Sequence, residues 1–245
     1  MLEYLCLLLS GYGERATIER GALALDDPRL GALASKLSRY GMVVLVGFSE
    51  RLADGRLANS VLILDGDRRL GVYRKTMLTG GDCRQMGFCP DFELPVWRAR
   101  GLTFGCIVCA DSSFVETAAT MAYQGASLLF SPHHNRISAA GMDRHRVRVR
   151  NNHAGLAALL ELYVVRANVA VLDDPQGLGY GDSAIFDPDG RPLAEAGLFR
   201  EALPTADAEI PEARAACHSR RRGRVPPAVR EQLAAAMRAY PADEW

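Results

Sequence analysis

Cys109 stands where a nucleophile would be useful. Phe104-Gly-Cys-Ile-Val-Cys109 is an apolar, strand-like run that stops at a short polar turn, Ala110-Asp-Ser-Ser113. A helical pattern over Glu116–Gln124 follows, and then a second apolar run, Ser127–Phe130. A strand, an elbow, a helix and another strand push one side chain out of the sheet. They also leave backbone N–H groups of the turn and helix start without partners nearby. Cysteine attacks as the thiolate, which needs a cation or a base beside it. Lys75, in Tyr73-Arg-Lys75-Thr-Met-Leu78, comes directly after a predicted strand and supplies the cation. It is one of two lysines, with Lys36, in a chain whose positive charge is otherwise arginine.

Other chemistries compete for the same residues. Cys106 and Cys109 have the spacing of a redox pair or zinc knuckle, but a strand between them aims the two thiols at opposite faces. His133, His134 and Asn135 follow the strand after the elbow helix, which suits them to line a pocket. Arg144, Arg146, Arg148 and Arg150 alternate with other residues in a stripe that could take phosphate. A surface, interface or gating segment fits them better, because the chain carries no net charge and no aromatic residues interleave with them. The glycines of Gly177–Gly181 lack a lysine or a helix start suited to phosphate. The basic run Arg220–Arg224 reads as a solvated tail.

The elements that must position these groups are those of an α/β chain. With 245 residues, about half of them apolar, the chain is long enough for one large core. Strands are expected at Leu2–Leu9, Met42–Phe48 and Tyr163–Val171, and helices at Arg29–Tyr40 and Val149–Leu162. Three hairpins are marked by turn residues at Gly66-Asp67, Arg100-Gly101 and Asp187–Gly190. Hairpins mixed with βαβ crossovers imply mixed sheets with helices covering one face of each. Without a linker or repeat, residues 1–245 read as a single domain with a tail from about residue 212. The six cysteines read as reduced thiols of a cytoplasmic protein. The apolar opening, which carries Glu3, reads as a buried strand rather than a signal or membrane segment.

Taken in order, the motifs resemble the carbon–nitrogen hydrolase (nitrilase/amidase) superfamily. They are Gly11-Tyr12, Gly47-Phe-Ser-Glu50, Tyr73–Leu78, the Cys109-Ala-Asp111 elbow with Phe114 and Glu116, and Gln124-Gly-Ala with Pro132. Tyr163–Asn168 and Gly181-Asp-Ser183 complete the series. The resemblance implies a four-layer αββα sandwich, here lacking the first strand and helix, and a homodimer or higher homo-oligomer. It implies Cys109 as nucleophile, with Lys75 and the Ala110 N–H holding the oxyanion. Ser112, Ser113, His133, His134 and Asn135 would contact the substrate. The substrate would be a small linear amide or carbamoyl compound, cleaved at a non-peptide C–N bond through a thioester. No metal, cofactor, nucleic acid or membrane is implied.

The family's general-base glutamate is the exception. Five residues before Gly11 stands Cys6, preceded by Leu5 where the family has proline. Glu3 is three residues away, an odd offset that faces the other side of a strand. Asp82 is the candidate for a second carboxylate that many members carry after the lysine. Ser112 and Ser113 stand where carbamoylases of amino acids often carry two arginines, which argues against an N-carbamoyl amino acid. The alternative function is therefore a catalytically impaired or truncated member: a pseudoenzyme or ligand-binding protein.

Overall fold

The computed structural model describes the backbone of residues 2–3 and all of residues 9, 13–171, 177–208, 210 and 225–239. Two β-sheets lie face to face. The first has four strands in sequence order: β1 (Leu2–Glu3), β2 (Val43–Arg51), β3 (Leu57–Asp65) and β4 (Arg68–Arg74). β1 pairs parallel with β2, and the other pairs are antiparallel. The expected turn Gly66-Asp67 joins β3 to β4, and Gly66 takes a positive φ of 64°.

The second sheet starts with β5 (Trp97–Ala99), β6 (Leu102–Cys106), β7 (Leu128–Pro132) and β8 (Tyr163–Ala167). A separate two-stranded pair follows, β9 (Ala170–Val171) with β10 (Gly179–Tyr180). β11 (Ala184–Phe186) and β12 (Pro192–Glu195) complete the second sheet, whose order is β12-β11-β8-β7-β6-β5. The three central strands β6, β7 and β8 run parallel. Parallel strands need crossovers, and the helices over residues 115–123 and 142–160 supply them.

Residue parity builds the layers. On β2 and β3, Val43, Leu45, Val61 and Ile63 join the large core that the second sheet also lines. Their alternates Phe48, Leu62 and Leu64 pack with Leu23, Leu30 and Ala34 instead. Strand side chains alternate faces, so this sheet is buried on both sides. The outer cover includes α2 (Pro28–Ser38), which follows the short α1 (Arg15–Gly21). Asp27 caps α2 by accepting from the Arg29 N–H at 2.9 Å, with Pro28 at the first helical position.

On the far side, α3 (Val115–Tyr123) and α4 (Met142–Leu160) cover the second sheet. α3 approaches so closely at Gly105 that an added Cβ would lie 2.5 Å from Met121 Sδ. The result is helix, sheet, sheet, helix: the αββα sandwich. A further helix, α5 (Pro227–Ala239), buries none of its residues.

Two expected boundaries move. α4 starts at Met142, seven residues before the expected helix, because the arginines read as an alternating stripe are good helix formers. The expected strand Tyr163–Val171 breaks after Ala167, where Asn168 turns its side chain to the Gly181 carbonyl at 2.8 Å. Of the expected strand Leu2–Leu9, only Leu2–Glu3 is described as strand; Cys6, Gly11-Tyr12, Cys217 and Arg220–Arg224 lie outside the described residues.

The sheets meet closely where the Trp97 indole of β5 lies on Gly71 of β4; within its own sheet Trp97 packs against Phe104, ring centroids 6.1 Å apart. A methyl at position 71 would overlap Trp97 Nε1. Gly71→Ala is therefore expected to cost about 1–3 kcal/mol by overpacking. Urea unfolding checks this: the midpoint falls while the slope stays constant.

Candidate active site

The elbow forms because one buried carboxylate leaves the chain no other course. β6 runs into buried Ile107 and Val108, and the turn Cys109–Ser113 leads to α3. Asp111, fully buried, accepts from the Val108 N–H, the Tyr73 hydroxyl and the Met77 N–H, each at 2.7 Å. Tyr73 and Met77 flank Lys75, so Asp111 ties the lysine segment of one sheet to the elbow of the other. Burial pushes its carboxyl above the usual range, against the pull of Lys75 and of these donors. Cys109 takes a positive φ of 52°, a left-handed angle that costs about 1–2 kcal/mol for a residue with a Cβ.

Lys75 is buried at the end of β4, and its Nζ lies 2.7 Å from Asp82 Oδ2. The same oxygen accepts from the Thr79 N–H and hydroxyl, both at 2.7 Å. Asp82 sits in a wide turn, Gly81–Gln85, and is itself buried. Glu50, in another of the motifs, is turned away. It binds Arg74 at 2.7 Å and the Ser60 hydroxyl at 2.7 Å, on the face that also carries Phe48 and Leu62.

The second sheet brings up the rest. Asn135 Nδ2 lies 3.5 Å from Cys109 Sγ. Its backbone N–H donates to Asn168 Oδ1 at 3.0 Å, and its Oδ1 accepts from Arg166 Nη2 at 3.2 Å. Ser112 is buried, and its hydroxyl donates to the Cys109 carbonyl at 2.7 Å. Ser113 is exposed and accepts from Asn152, and His134 and Ala110 are half-buried.

His133 is buried in a cluster with Ser131 and His153. His153 Nδ1 must donate to the Val149 carbonyl, 2.7 Å away, because a carbonyl only accepts. Burial lowers its pKa to about 3, so the ring is neutral and its Nε2 bears a lone pair. The Ser131 hydroxyl at 2.9 Å and His133 Nε2 at 3.2 Å both face that lone pair. His133 Nε2 also lies 3.0 Å from the Ser131 hydroxyl, while its Nδ1 is a buried atom without a hydrogen-bond partner.

Around the thiol, burial pushes the pKa of Cys109 up. Lys75 pulls it down, Asp82 and Asp111 push it up, and Arg166 pulls it down. The resting sulphur is a thiol, and attack requires somewhere for its proton to go. Among the described residues, no three His, Cys, Asp or Glu side chains gather to hold a metal. Among them, no helix is long and apolar enough to cross a membrane.

A thiol on a strained elbow, with a buried lysine–carboxylate pair beside it, sits at the ends of parallel strands, where α/β folds place their sites. The sequence profile of the carbon–nitrogen hydrolases matches residues 7–216. The chain belongs to the carbon–nitrogen hydrolase family. It is 30% identical over 208 residues to N-carbamoylputrescine amidase of Solanum tuberosum, covering 79% of this chain and 68% of that protein. It is 32% identical over 190 residues to citrullinase of Francisella tularensis, covering 71% and 64%. The chain thus spans about two thirds of the length of these curated relatives. A nitrilase-superfamily structure from Saccharomyces cerevisiae shares the fold, with TM-score 0.73 and 18% identity over 100% of this chain and 83% of that one.

Of the hydrolase's expected site residues, Cys109 and Asn135 are in contact, and His133 lies within the field of Lys75. Arg166, Tyr180, His153 and Asp182 were not among those expected. Arg166 had one signal in the sequence: a charge inside the β-branched run Tyr163–Ala167.

The histidine cluster makes the fold acid-sensitive. His153 titrates near 6.5 when unfolded but about 3 when folded, so below pH 6.5 the unfolded chain binds the extra proton. Stability is expected to fall between pH 6.5 and 3, with a slope approaching about 1.4 kcal/mol per pH unit for one proton. Urea midpoints across that range check it, and His153→Asn flattens the slope.

Proposed function

We propose that this protein hydrolyses a non-peptide C–N bond of a small linear amide or carbamoyl compound through a Cys109 thioester. The observation that carries the proposal is the buried Lys75–Asp82 pair, whose charges both act on the thiol. The sulphur attacks the carbonyl carbon, while the Lys75 ammonium and the Ala110 N–H stabilise the oxyanion. Asp82 takes the thiol proton as general base and returns it to the departing amine. Water, deprotonated by the same carboxylate, then attacks the thioester carbon and frees the acid and Cys109. With Asp82 in this role, the reaction does not depend on a glutamate at Cys6, which lies outside the described residues.

Asn135, His133 and His134 are proposed to line the substrate site. The buried, unpartnered Nδ1 of His133 suits a polar group of the substrate. Ser112 and Ser113 carry less of that role, since their hydroxyls bond Cys109 and Asn152. The named activities of the relatives, on N-carbamoylputrescine and citrulline, support a carbamoyl group as the target. The profile match over residues 7–216 supports one hydrolase domain followed by a tail. A cytoplasmic location and a homodimer or larger assembly complete the proposal.

Ammonia release from a panel of small amides and carbamoyl compounds tests it. Cys109→Ala is expected to abolish release. Asp82→Asn is expected to lower kcat by roughly 10²–10⁴-fold with KM little changed. Equal rates for wild type and Cys109→Ala would overturn the proposal in favour of a catalytically impaired member.

A further inference from the structure

Arg166 is a buried cation whose partners are all neutral. Its Nη1 donates to the carbonyls of Gly181, at 3.2 Å, and Asp182. Its Nη2 donates to Asn135 Oδ1 at 3.2 Å and to the Tyr180 hydroxyl at 3.3 Å, and the guanidinium lies 5.5 Å from the Tyr180 ring centroid. The Asp182 carboxylate acts on Arg166 but pairs directly with Arg146 at 3.1 Å and Arg150 at 3.0 Å. A buried guanidinium that must share its carboxylate with two other arginines is poorly compensated. A fold that keeps one gains most when an anion forms close by.

The geometry points to Arg166 as the positioning residue of Cys109, holding Asn135 so that its amide N–H faces the sulphur and serving as counter-charge to the thiolate. This rests on Cys109 being the nucleophile. A guanidinium only donates, so the Asn135 atom facing it must be the oxygen. The Tyr180 hydroxyl approaches the same oxygen at 3.4 Å, and the Asn168 side chain anchors the backbone of Asn135. Flipping the amide would set its NH2 group against the guanidinium, so Nδ2 stays on the side of Sγ, 3.5 Å away. A donor to sulphur favours the charged form over the thiol.

Just after β7 and on α4, His133, His145 and His153 also face the field of Arg166, which holds each of them toward the neutral form. Lys75 from β4, Asp82 from its turn and Asp111 from the elbow act on the thiol. Tyr180, Asp182 and Arg150 act on Arg166, and His145 Nδ1 lies 3.1 Å from the Tyr180 hydroxyl. Arg166 and Cys109 each favour the charged form of the other.

The test is the pH profile of Cys109 alkylation by iodoacetamide, followed by peptide mass spectrometry so that other cysteines do not contribute. It reads the thiolate without requiring turnover. Arg166→Met is expected to raise the midpoint by about one pH unit, so that alkylation at neutral pH slows roughly ten-fold. Arg166→Lys should recover part of the shift. Asn135→Ala, which keeps the cation but removes the donor, should give a smaller shift in the same direction. A folded Arg166→Met with the wild-type midpoint overturns the proposal. If Arg166→Met does not fold, Asn135→Ala decides: a wild-type profile overturns, and a raised midpoint supports. A raised midpoint in Arg166→Met, beside a wild-type protein that releases no ammonia, would sustain this role of Arg166 and sink the hydrolase instead.

Discussion

Asp111 holds this site together. Its carboxylate is buried between two sheets and satisfied by donors from both: Tyr73 and Met77 on the lysine side, Val108 on the elbow side. Buried carboxylates survive only where donors surround them, so the three bonds form together or the charge is stranded. The sheets contribute most of the burial energy of the sandwich, but apolar contact is tolerant of sliding. A hydrogen bond 2.7 Å long is not. Asp111 converts a face-to-face packing into a fixed placement of Lys75 relative to Cys109.

Upon that placement rests a balance of charge. Lys75 and Arg166 favour a thiolate; Asp82, Asp111 and burial oppose it. The balance falls on the side of the thiol, which keeps the nucleophile quiet until a substrate arrives. Reactive thiolates alkylate and oxidise readily. A sulphur that ionises only as it attacks avoids this, provided that an acceptor for the proton and a donor for the anion are already in place.

Much of this was legible in the sequence. The elbow at Cys109, the hairpin at Gly66-Asp67 and the lysine after β4 rest on local signals: a broken apolar run, a turn dipeptide, a lysine in an arginine-rich chain. Such signals need only neighbours in the chain. What stayed hidden depends on residues far apart in sequence. Asp82 was a candidate from its place after the lysine, but no periodicity announces the wide turn that pairs it with Lys75. The arginines of α4 alternate in sequence, so they looked like a strip; the 100° step of a helix separates them, leaving Arg146 and Arg150 on Asp182. Arg166 lay inside the motif Tyr163–Asn168, but its contacts with Asn135 and Tyr180 join residues 31 and 14 positions away.

The left-handed angle at Cys109 has a consequence for what can stand there. Serine fits it at the same cost as cysteine, so exchanging sulphur for oxygen is a matter of nucleophilicity alone. Threonine does not fit, because a branched Cβ crowds the following carbonyl in that conformation. The backbone thus admits one small hydroxyl residue and excludes the other. Glycine would relax the turn and stabilise the fold while deleting the reacting atom. At this position the most comfortable residue is an inert one, and the protein keeps its nucleophile under strain.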